Sequence, residues 1–283
     1  MDALIHHLEN REDLEPREIT VAAEFLLDEG VGLPKKKRLL KALATKGETA
    51  AEIAEFVAVF LEKAVKPDFL GQTFEGPTID VCGTGGDKLD LFNISTTSMF
   101  IVAAAGATVI KHGNRGVTSK SGSSDVLSEL GIPLDLSSEK VGECLGKAGV
   151  GFLFAPLYHP AFKAVAPVRA ELAKEGVRTI FNLIGPLLNP AQPECQLVGV
   201  MDEALCPVFA DILQRMGRDS AWSSTVLPQM DVLSMKSVSW GLQGSINLEA
   251  SRGSLMRKFT HRILIWRLLT SKISREETPL RMR

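Results

Sequence analysis

Apolar residues recur at helical spacing through the first 66 residues, then give way to short β-rich runs separated by helices. Residues 1–66 therefore read as helical. Pro16 suits the first turn of a helix that runs through Leu27 and that Gly30 ends. Thr49-Ala50-Ala51-Glu52 is a capping box, in which the Thr49 hydroxyl and the Glu52 carboxylate cover exposed N–H groups. Ile53, Phe56, Val57, Phe60 and Leu61 then share one face, which predicts a packed helix with no chemistry of its own. From Gly71 the pattern changes. Thr78–Cys82, Thr108–Ile110 (ending at Lys111), Val150–Phe154 and Gln196–Val200 read as buried strands. Helices are predicted over Ser95–Ala105, from a Ser124 cap to Gly131, and over Ser138–Ala148, Ala161–Glu175 and Glu203–Met216, the last closed by Gly217. Such alternation predicts an α/β fold with a mostly parallel sheet covered on both faces. Ligands of such sheets sit beyond the carboxyl ends of the strands.

Composition narrows the function classes. The chain has 283 residues, 45% hydrophobic and 23% charged, which is ordinary for a globular protein of one large or two unequal domains. No apolar run approaches the ~18 residues of a membrane span. Met1 to Asn10 has no basic stretch followed by an apolar one, so no secretory signal is expected. Cys82, Cys144, Cys195 and Cys206 form no C-x-x-C pair, which argues against a structural zinc and fits a reducing cytoplasm. A net charge of −2 gives no reason to expect nucleic acid as a partner. Charge is unevenly spread, however. Of 32 Lys/Arg and 34 Asp/Glu, ten basic but four acidic residues lie beyond 220, leaving 22 against 30 before it. Trp222, Trp240 and Trp266 also lie in that last segment.

Three loops carry candidate chemistry. Asp80-Val81-Cys82-Gly83-Thr84-Gly85-Gly86-Asp87 follows a strand, and its glycines let backbone N–H groups face an anion. A tight turn would also use them, and the run is neither a Walker A loop nor G-x-G-x-x-G. Asp87 is placed to orient a ribose or pyrophosphate through a metal. Asn93-Ile94-Ser95-Thr96-Thr97 heads an apolar helix, where free N–H groups and hydroxyls favour phosphate. An ordinary helix cap uses the same residues, but two such loops about ten residues apart suggest a ligand with phosphate at both ends. Lys111-His112-Gly113-Asn114-Arg115-Gly116 is expected to leave a buried strand as a loop whose cations suit a polyanion. Ser119, Lys120, Ser121, Gly122 and Ser123 add donors downstream.

These loops, in order, resemble the signature loops of the anthranilate phosphoribosyltransferase family. Phe154-Ala155-Pro156, His159-Pro160-Ala161, Pro167-Val168-Arg169, Arg178-Thr179-Ile180-Phe181-Asn182 and Asn189-Pro190 continue the likeness, which covers roughly residues 1–221. The resemblance implies a fold of the nucleoside phosphorylase/phosphoribosyltransferase type. A small helical domain with hinge (1–70) would precede an α/β domain (71–221), with homodimerisation usual. It implies transfer of phosphoribosyl from phosphoribosyl pyrophosphate to the anthranilate nitrogen, with Mg2+ as cofactor. Carried over, Gly83, Gly86 and Asp87 hold the pyrophosphate side. Asn93, Ser95 and Thr96 hold pyrophosphate and metal, Ser95 being a magnesium ligand, and Lys111, Ser119 and Ser123 contact the donor. Gly83, Asn114 and Arg169 receive anthranilate, Arg169 as carboxylate partner, while His112 and His159 line its route. No general base is assigned, because a weakly basic aromatic amine attacks without prior deprotonation. Leu91 departs from a usually polar position, which puts one phosphate-side contact in doubt. A pyrimidine nucleoside phosphorylase is the alternative enzyme reading. A phosphoribosyl-pyrophosphate- or nucleic-acid-binding relative is the non-catalytic one, which would use the basic 252–283 segment.

Beyond 221 the likeness stops. The family continues with Val-Val-His-Gly, Asp-Gly, an Asp-Glu magnesium pair before Val-Ser, and Gly-Pro-Thr. Here Trp222 to Asp231 reads otherwise, yet permissible codons TGG TCG TCC ACG GTG CTG CCG CAG ATG GAT, entered at the third base, give Val-Val-His-Gly-Ala-Ala-Ala-Asp-Gly. Ser234–Val238 can likewise yield Asp-Glu-Val-Ser, and Trp240–Gln243 Gly-Pro-Thr. Residues 222–283 are therefore expected to be a basic tail produced by a reading-frame shift. Asp202-Glu203 is not a substitute for the pair, since acids at a helix start answer the helix dipole. Reading the gene across the Trp222 codon checks this. The expected result is a neighbouring frame that encodes those motifs; an intact frame with no such alternative ends the idea.

Overall fold

The structure is a computed structural model that describes residues 1–85, 92–116, 121–229 and 232–241, with side chains described through 225. It opens with four helices, α1 (Asp2–Glu9), α2 (Pro16–Leu27), α3 (Leu33–Lys46) and α4 (Ala50–Glu62). Pro16 stands in the first turn of α2 as its fixed φ favours. The capping box of α4 forms: Glu52 N–H donates to Thr49 Oγ1 at 3.2 Å, and Thr49 N–H donates to Glu52 Oε2 at 2.9 Å. Ile53, Phe56, Val57, Phe60 and Leu61 are all buried along α4, as the helical spacing predicts. Each of Phe56 and Phe60 contributes about 1.5–3 kcal/mol of hydrophobic burial.

The second part alternates strands and helices: β1 (Thr78–Gly83), α5 (Ile94–Ala104), β2 (Thr108–Gly113), α6 (Ser123–Glu129), α7 (Ser138–Ala148), β3 (Val150–Phe154), α8 (Ala155–Tyr158), α9 (Ala166–Lys174), β4 (Cys195–Gly199), α10 (Leu205–Arg215), β5 (Ser220–Gln229) and β6 (Val232–Gly241). The sheet order is β3-β2-β1-β4-β5-β6. The first five strands run parallel and β6 pairs antiparallel with β5. The mostly parallel sheet expected from the alternation is thus present. Strand order reverses beside β1, where β2 lies on one side and β4 on the other. At this switch point the carboxyl ends diverge and leave room for a ligand.

Two predicted elements differ in their details. The helix expected over Ala161–Glu175 divides into a 3-10 turn, Pro160–Ala164, and α9. The α6 cap is Gly122 with Asp125, and Ser124 is a buried residue of the helix itself. Gly122 is required there because a Cβ would run into the backbone of Gly116. Gly149, at φ 68°, ends α7 in the left-handed conformation that glycine tolerates.

Two apolar cores flank the sheet. One joins α1–α4 to Val165, Val168 and Leu172, to Ile180–Leu188 and to α10, and reaches the sheet through Cys82, Val198 and Ala221. The other packs α5, α6 and α7 against Val109, Val150 and Leu153. The segment 165–188 thus shares its core with the four amino-terminal helices.

β5 crosses residue 221 without a break, pairing Val198 with Ser223. An inner strand of a parallel sheet ordinarily reads as an apolar run. Ser223 is instead 0% exposed, and its hydroxyl has no hydrogen-bond partner among the described residues. Ser223→Val should therefore raise stability by about 1 kcal/mol, seen as a melting temperature higher by about 2–4 °C. An unchanged or lower melting temperature would show that the hydroxyl is satisfied.

Candidate functional site

The site is built where β1, β2 and β4 end. Gly83 pairs with Gly199 across β1 and β4, and the Thr84 N–H donates to Gly199 O at 2.9 Å. Gly83 is therefore a fixed, exposed rim of the switch point. Gly86, Asp87 and Leu91 lie outside the described residues, as do Ser119 and Lys120.

β2 corrects the expectation of a loop at Lys111. The strand continues to Gly113, with Lys111 opposite Phe152 and His112 opposite Leu153. Both side chains are consequently buried, Lys111 to 1% exposure. The Lys111 ammonium donates to Val81 O and, at 3.2 Å, to Ser95 Oγ near the start of α5. Burial lowers its pKa, while Asp80 opposes the shift. A buried ammonium pointed at a hydroxyl acts on a ligand through that hydroxyl. The positive end of α5 and the cation then reinforce each other.

Around Ser95 the polar groups interlock. Asn93 Nδ2 donates to Ser121 O at 3.0 Å, and the Thr96 hydroxyl donates to Asn93 Oδ1 at 3.3 Å. Thr96 is fully buried, so its hydroxyl orients Asn93. Ser123 Oγ donates to Asn114 O at 3.4 Å, holding α6 against the end of β2. Asp125 organises this turn: its carboxylate accepts the N–H groups of Gly116 at 2.9 Å and Gly122 at 2.7 Å. Those two bonds hold the Asp125 pKa below the usual carboxylate range.

Beneath the rim lies a group that motif reading passed over. Asp80, in the middle of β1, is fully buried and accepts from Asn189 Nδ2 at 2.9 Å and from His112 N at 3.4 Å. Asn189 also donates to Ile110 O at 2.8 Å, joining β1 to β2. Burial pushes the Asp80 carboxyl up, against the pull of Lys111 and Asn189. Gln196 on β4 donates to Pro186 O and accepts from Arg218 Nε at 3.1 Å. The signal was there to be read: a carboxylate between Ile79 and Val81 in a buried strand must find partners.

An aromatic row leads away from β2. The His112 ring packs against His159 at 5.3 Å, His159 against Phe162 at 5.2 Å, and Phe162 against Phe181 at 5.6 Å. The Arg169 guanidinium lies 5.2 Å over Phe181, and Nη2 donates to Phe181 O at 3.4 Å. No carboxylate pairs with Arg169 among the described residues. His112, His159 and Arg169, far apart in sequence, are thus joined through two phenylalanines. Burial, with smaller effects from His159 and Lys111, pushes His112 down to about 3, so its ring is neutral. His112 Nε2 is buried with no hydrogen-bond partner among the described residues. His159 is also lowered by burial, and its Nε2 lies 2.8 Å from Leu188 O.

Magnesium keeps several waters and rides on substrate phosphates, so it needs few protein oxygens. Ser95 Oγ is one that the site offers. The described residues contain no cluster of three His, Cys, Asp or Glu side chains. No described helix is long and apolar enough to cross a membrane.

Asp125→Ala should loosen the turn, with about 1 kcal/mol lost from stability. The Asp125 pKa is depressed in the fold, so its contribution is present above the ordinary aspartate pKa and fades as pH falls through the folded value. The stability difference between wild type and variant should accordingly vanish in acid. Equal stability of the two proteins at neutral pH would count against the role.

Comparison with known proteins gives a consistent picture. The chain matches the glycosyl transferase family, a/b domain, over residues 75–239, past the boundary expected at 221. It is 46% identical over 223 residues to the anthranilate phosphoribosyltransferase of Natronomonas pharaonis, covering 78% of this chain and 64% of the relative. It is 45% identical over 216 residues to that of Herpetosiphon aurantiacus, covering 76% and 61%. The chain thus spans less than two thirds of the length of these curated relatives. The crystal structure of anthranilate phosphoribosyltransferase from Thermus thermophilus superposes with a TM-score of 0.72 at 28% identity, covering 96% of this chain and 89% of that one. The Saccharomyces cerevisiae enzyme in complex with PRPP and Mg shares the fold, with a TM-score of 0.64 at 22% identity over 92% of this chain and 83% of that one.

Proposed function

The chain belongs to the glycosyl transferase family through its a/b domain, and from that membership we propose that it binds phosphoribosyl pyrophosphate and anthranilate. The reaction is transfer of the phosphoribosyl group to the anthranilate nitrogen, giving N-(5-phosphoribosyl)anthranilate and pyrophosphate. What carries the reading is the pairing of two anion sites in a chain so similar to anthranilate phosphoribosyltransferases. One is the Lys111–Ser95 ammonium and hydroxyl at the head of α5. The other is Arg169, without a carboxylate partner among the described residues, at the end of the aromatic row. The same likeness favours this reading over a pyrimidine nucleoside phosphorylase.

In the proposed reaction the bond from C1 to the pyrophosphate oxygen breaks, its electron pair leaving with pyrophosphate. The amine lone pair forms the new C1–N bond, and the nitrogen then releases a proton to water. Because C1 becomes oxocarbenium-like, positioning and neutralisation of the leaving group matter more than a strong base. Gly83, Gly86 and Asp87 hold the pyrophosphate side in this reading. Asn93, Ser95 and Thr96 with Lys111, Ser119 and Ser123 hold the donor, Lys111 acting through Ser95 and Thr96 through Asn93. Arg169 takes the anthranilate carboxylate, Gly83 and Asn114 border the acceptor, and His112 and His159 line its route as neutral rings. Magnesium, when bound, would neutralise charge on the pyrophosphate, with Ser95 among its ligands. A cytoplasmic homodimer belongs to the same reading, and the four free cysteines suit a reducing compartment.

The frame shift near Trp222 and the division at residues 70 and 221 are proposals of the same kind. The partnerless Ser223 hydroxyl supports the first, since an evolved inner strand would place an apolar side chain there. With the family Asp-Glu pair lost, turnover is weak or absent while substrate binding persists. Calorimetry on the full chain should detect binding of phosphoribosyl pyrophosphate and of anthranilate. Arg169→Met should weaken anthranilate by about tenfold or more. A steady-state assay with both substrates and magnesium should give little product. Absence of donor binding defeats the reading, and turnover at the level of full-length relatives defeats the claim of lost activity.

A further inference from the structure

Lys36 stands apart in the run Lys35-Lys36-Lys37-Arg38. Its neighbours reach solvent, but Lys36 is 1% exposed. Its ammonium donates to Ala164 O at 2.9 Å. Ala164 ends the 3-10 turn Pro160–Ala164, where carbonyls lack partners and the turn's negative end favours a cation. An apolar side chain of similar volume would fill the same space without burying a charge. What lysine adds is attraction to Asp28 and Glu29 and a directional bond to one peptide.

That peptide leads straight to Arg169. The adjoining carbonyl, Val165 O, accepts the Arg169 N–H at 3.1 Å in the first turn of α9. The far end of α9 is also fastened to α3. Lys37 pairs with Glu171 at 3.2 Å and with Glu175, and Lys41 pairs with Glu175 at 2.6 Å. These outer pairs are partly exposed and individually weak. The bond from Lys36 is partly buried and sits at the end nearer Arg169. A shift of about 1 Å in a positioning element is enough to cost a large factor in productive binding.

We propose that Lys36 is a positioning residue for the acceptor site: by fixing the Ala164–Val165 peptide it aims the Arg169 guanidinium, and so selects acceptors that carry a carboxylate. The proposal rests on the assignment of Arg169 made above and adds a specificity device to it.

The test measures affinities of the full chain for two ligands, anthranilate (in the presence of inorganic pyrophosphate) and pyrophosphate alone. Lys36→Met should raise the anthranilate Kd by about tenfold and leave the pyrophosphate Kd unchanged. Lys36→Arg keeps a donor at altered reach and should give an intermediate, equally selective rise of about two- to threefold. Aniline, which lacks the carboxylate, should not distinguish the variants. An unchanged anthranilate Kd in Lys36→Met overturns the proposal, and so does an equal loss of both ligands, which a purely structural role would produce. If Lys36→Met does not fold, Lys36→Arg decides, and no selective shift there overturns it. Wild-type protein that binds pyrophosphate but not anthranilate sinks the assignment of Arg169 itself, and this inference with it.

Discussion

The architecture turns on one buried amide. Asn189 is 0% exposed and uses its donors on Asp80 of β1 and on Ile110 O of β2, while its Oδ1 accepts the Ala191 N–H at 3.0 Å. A carboxylate inside a sheet is costly unless its lone pairs are met, and Asn189 meets one of them. In doing so it pins the chain segment 185–191 across one face of the sheet. From that segment Leu188 O engages His159 and Pro186 O engages Gln196. His159 and Gln196 are thus placed by the same contact that compensates Asp80. A side chain that merely filled the space would take away the bonds of Asp80 Oδ2, Ile110 O and the Ala191 N–H to Asn189.

The periodic elements were legible because their cause is local. The α4 capping box and its five apolar positions follow from spacing alone, and both form as read. The parallel sheet followed from alternation. The error at Lys111 has an equally physical origin. Lysine, histidine and glycine look like a loop, but strand pairing continues opposite Phe152–Phe154 and takes the ammonium inside. No local pattern announces that the Ser95 hydroxyl and the Val81 carbonyl will receive it. Asp125 shows the same limit. Its value lies in two N–H groups, at Gly116 and Gly122, that only the folded turn brings together.

Polar groups crowd the sheet face that carries Asp80: Gln196, Arg218, Asn189, His112 and Ser223 are all buried with it. Most are satisfied by each other, which makes the network stiff and directional. Those left over differ in meaning by position. The His112 nitrogen lies in the aromatic row, beside the His159 ring. Ser223 lies in β5 opposite Val198, within the sheet, where an apolar group would pack better. Arg218 Nη2 is likewise buried without a partner among the described residues, although its Nε engages Gln196. Both of these lie at the strand where the sequence changes character.

The electrostatic inventory matches a reaction that needs placement more than proton transfer. Burial keeps His112 neutral far below physiological pH, and His159 is shifted the same way, so neither ring supplies a strong base. The cations, by contrast, are fixed. Lys111 is held by Val81 O and Ser95, and Arg169 by Phe181 on one side and by the first turn of α9 on the other. Fixed charges lower a barrier when the charge they face appears only as the bond breaks, because they need no reorganisation at that moment. In the proposed reaction, a leaving pyrophosphate and an acceptor that enters already anionic ask for cations at two places. The two fixed cations differ in kind: Lys111 is a buried ammonium set behind the Ser95 hydroxyl, and Arg169 is a guanidinium on a helix tied to α3 at both ends.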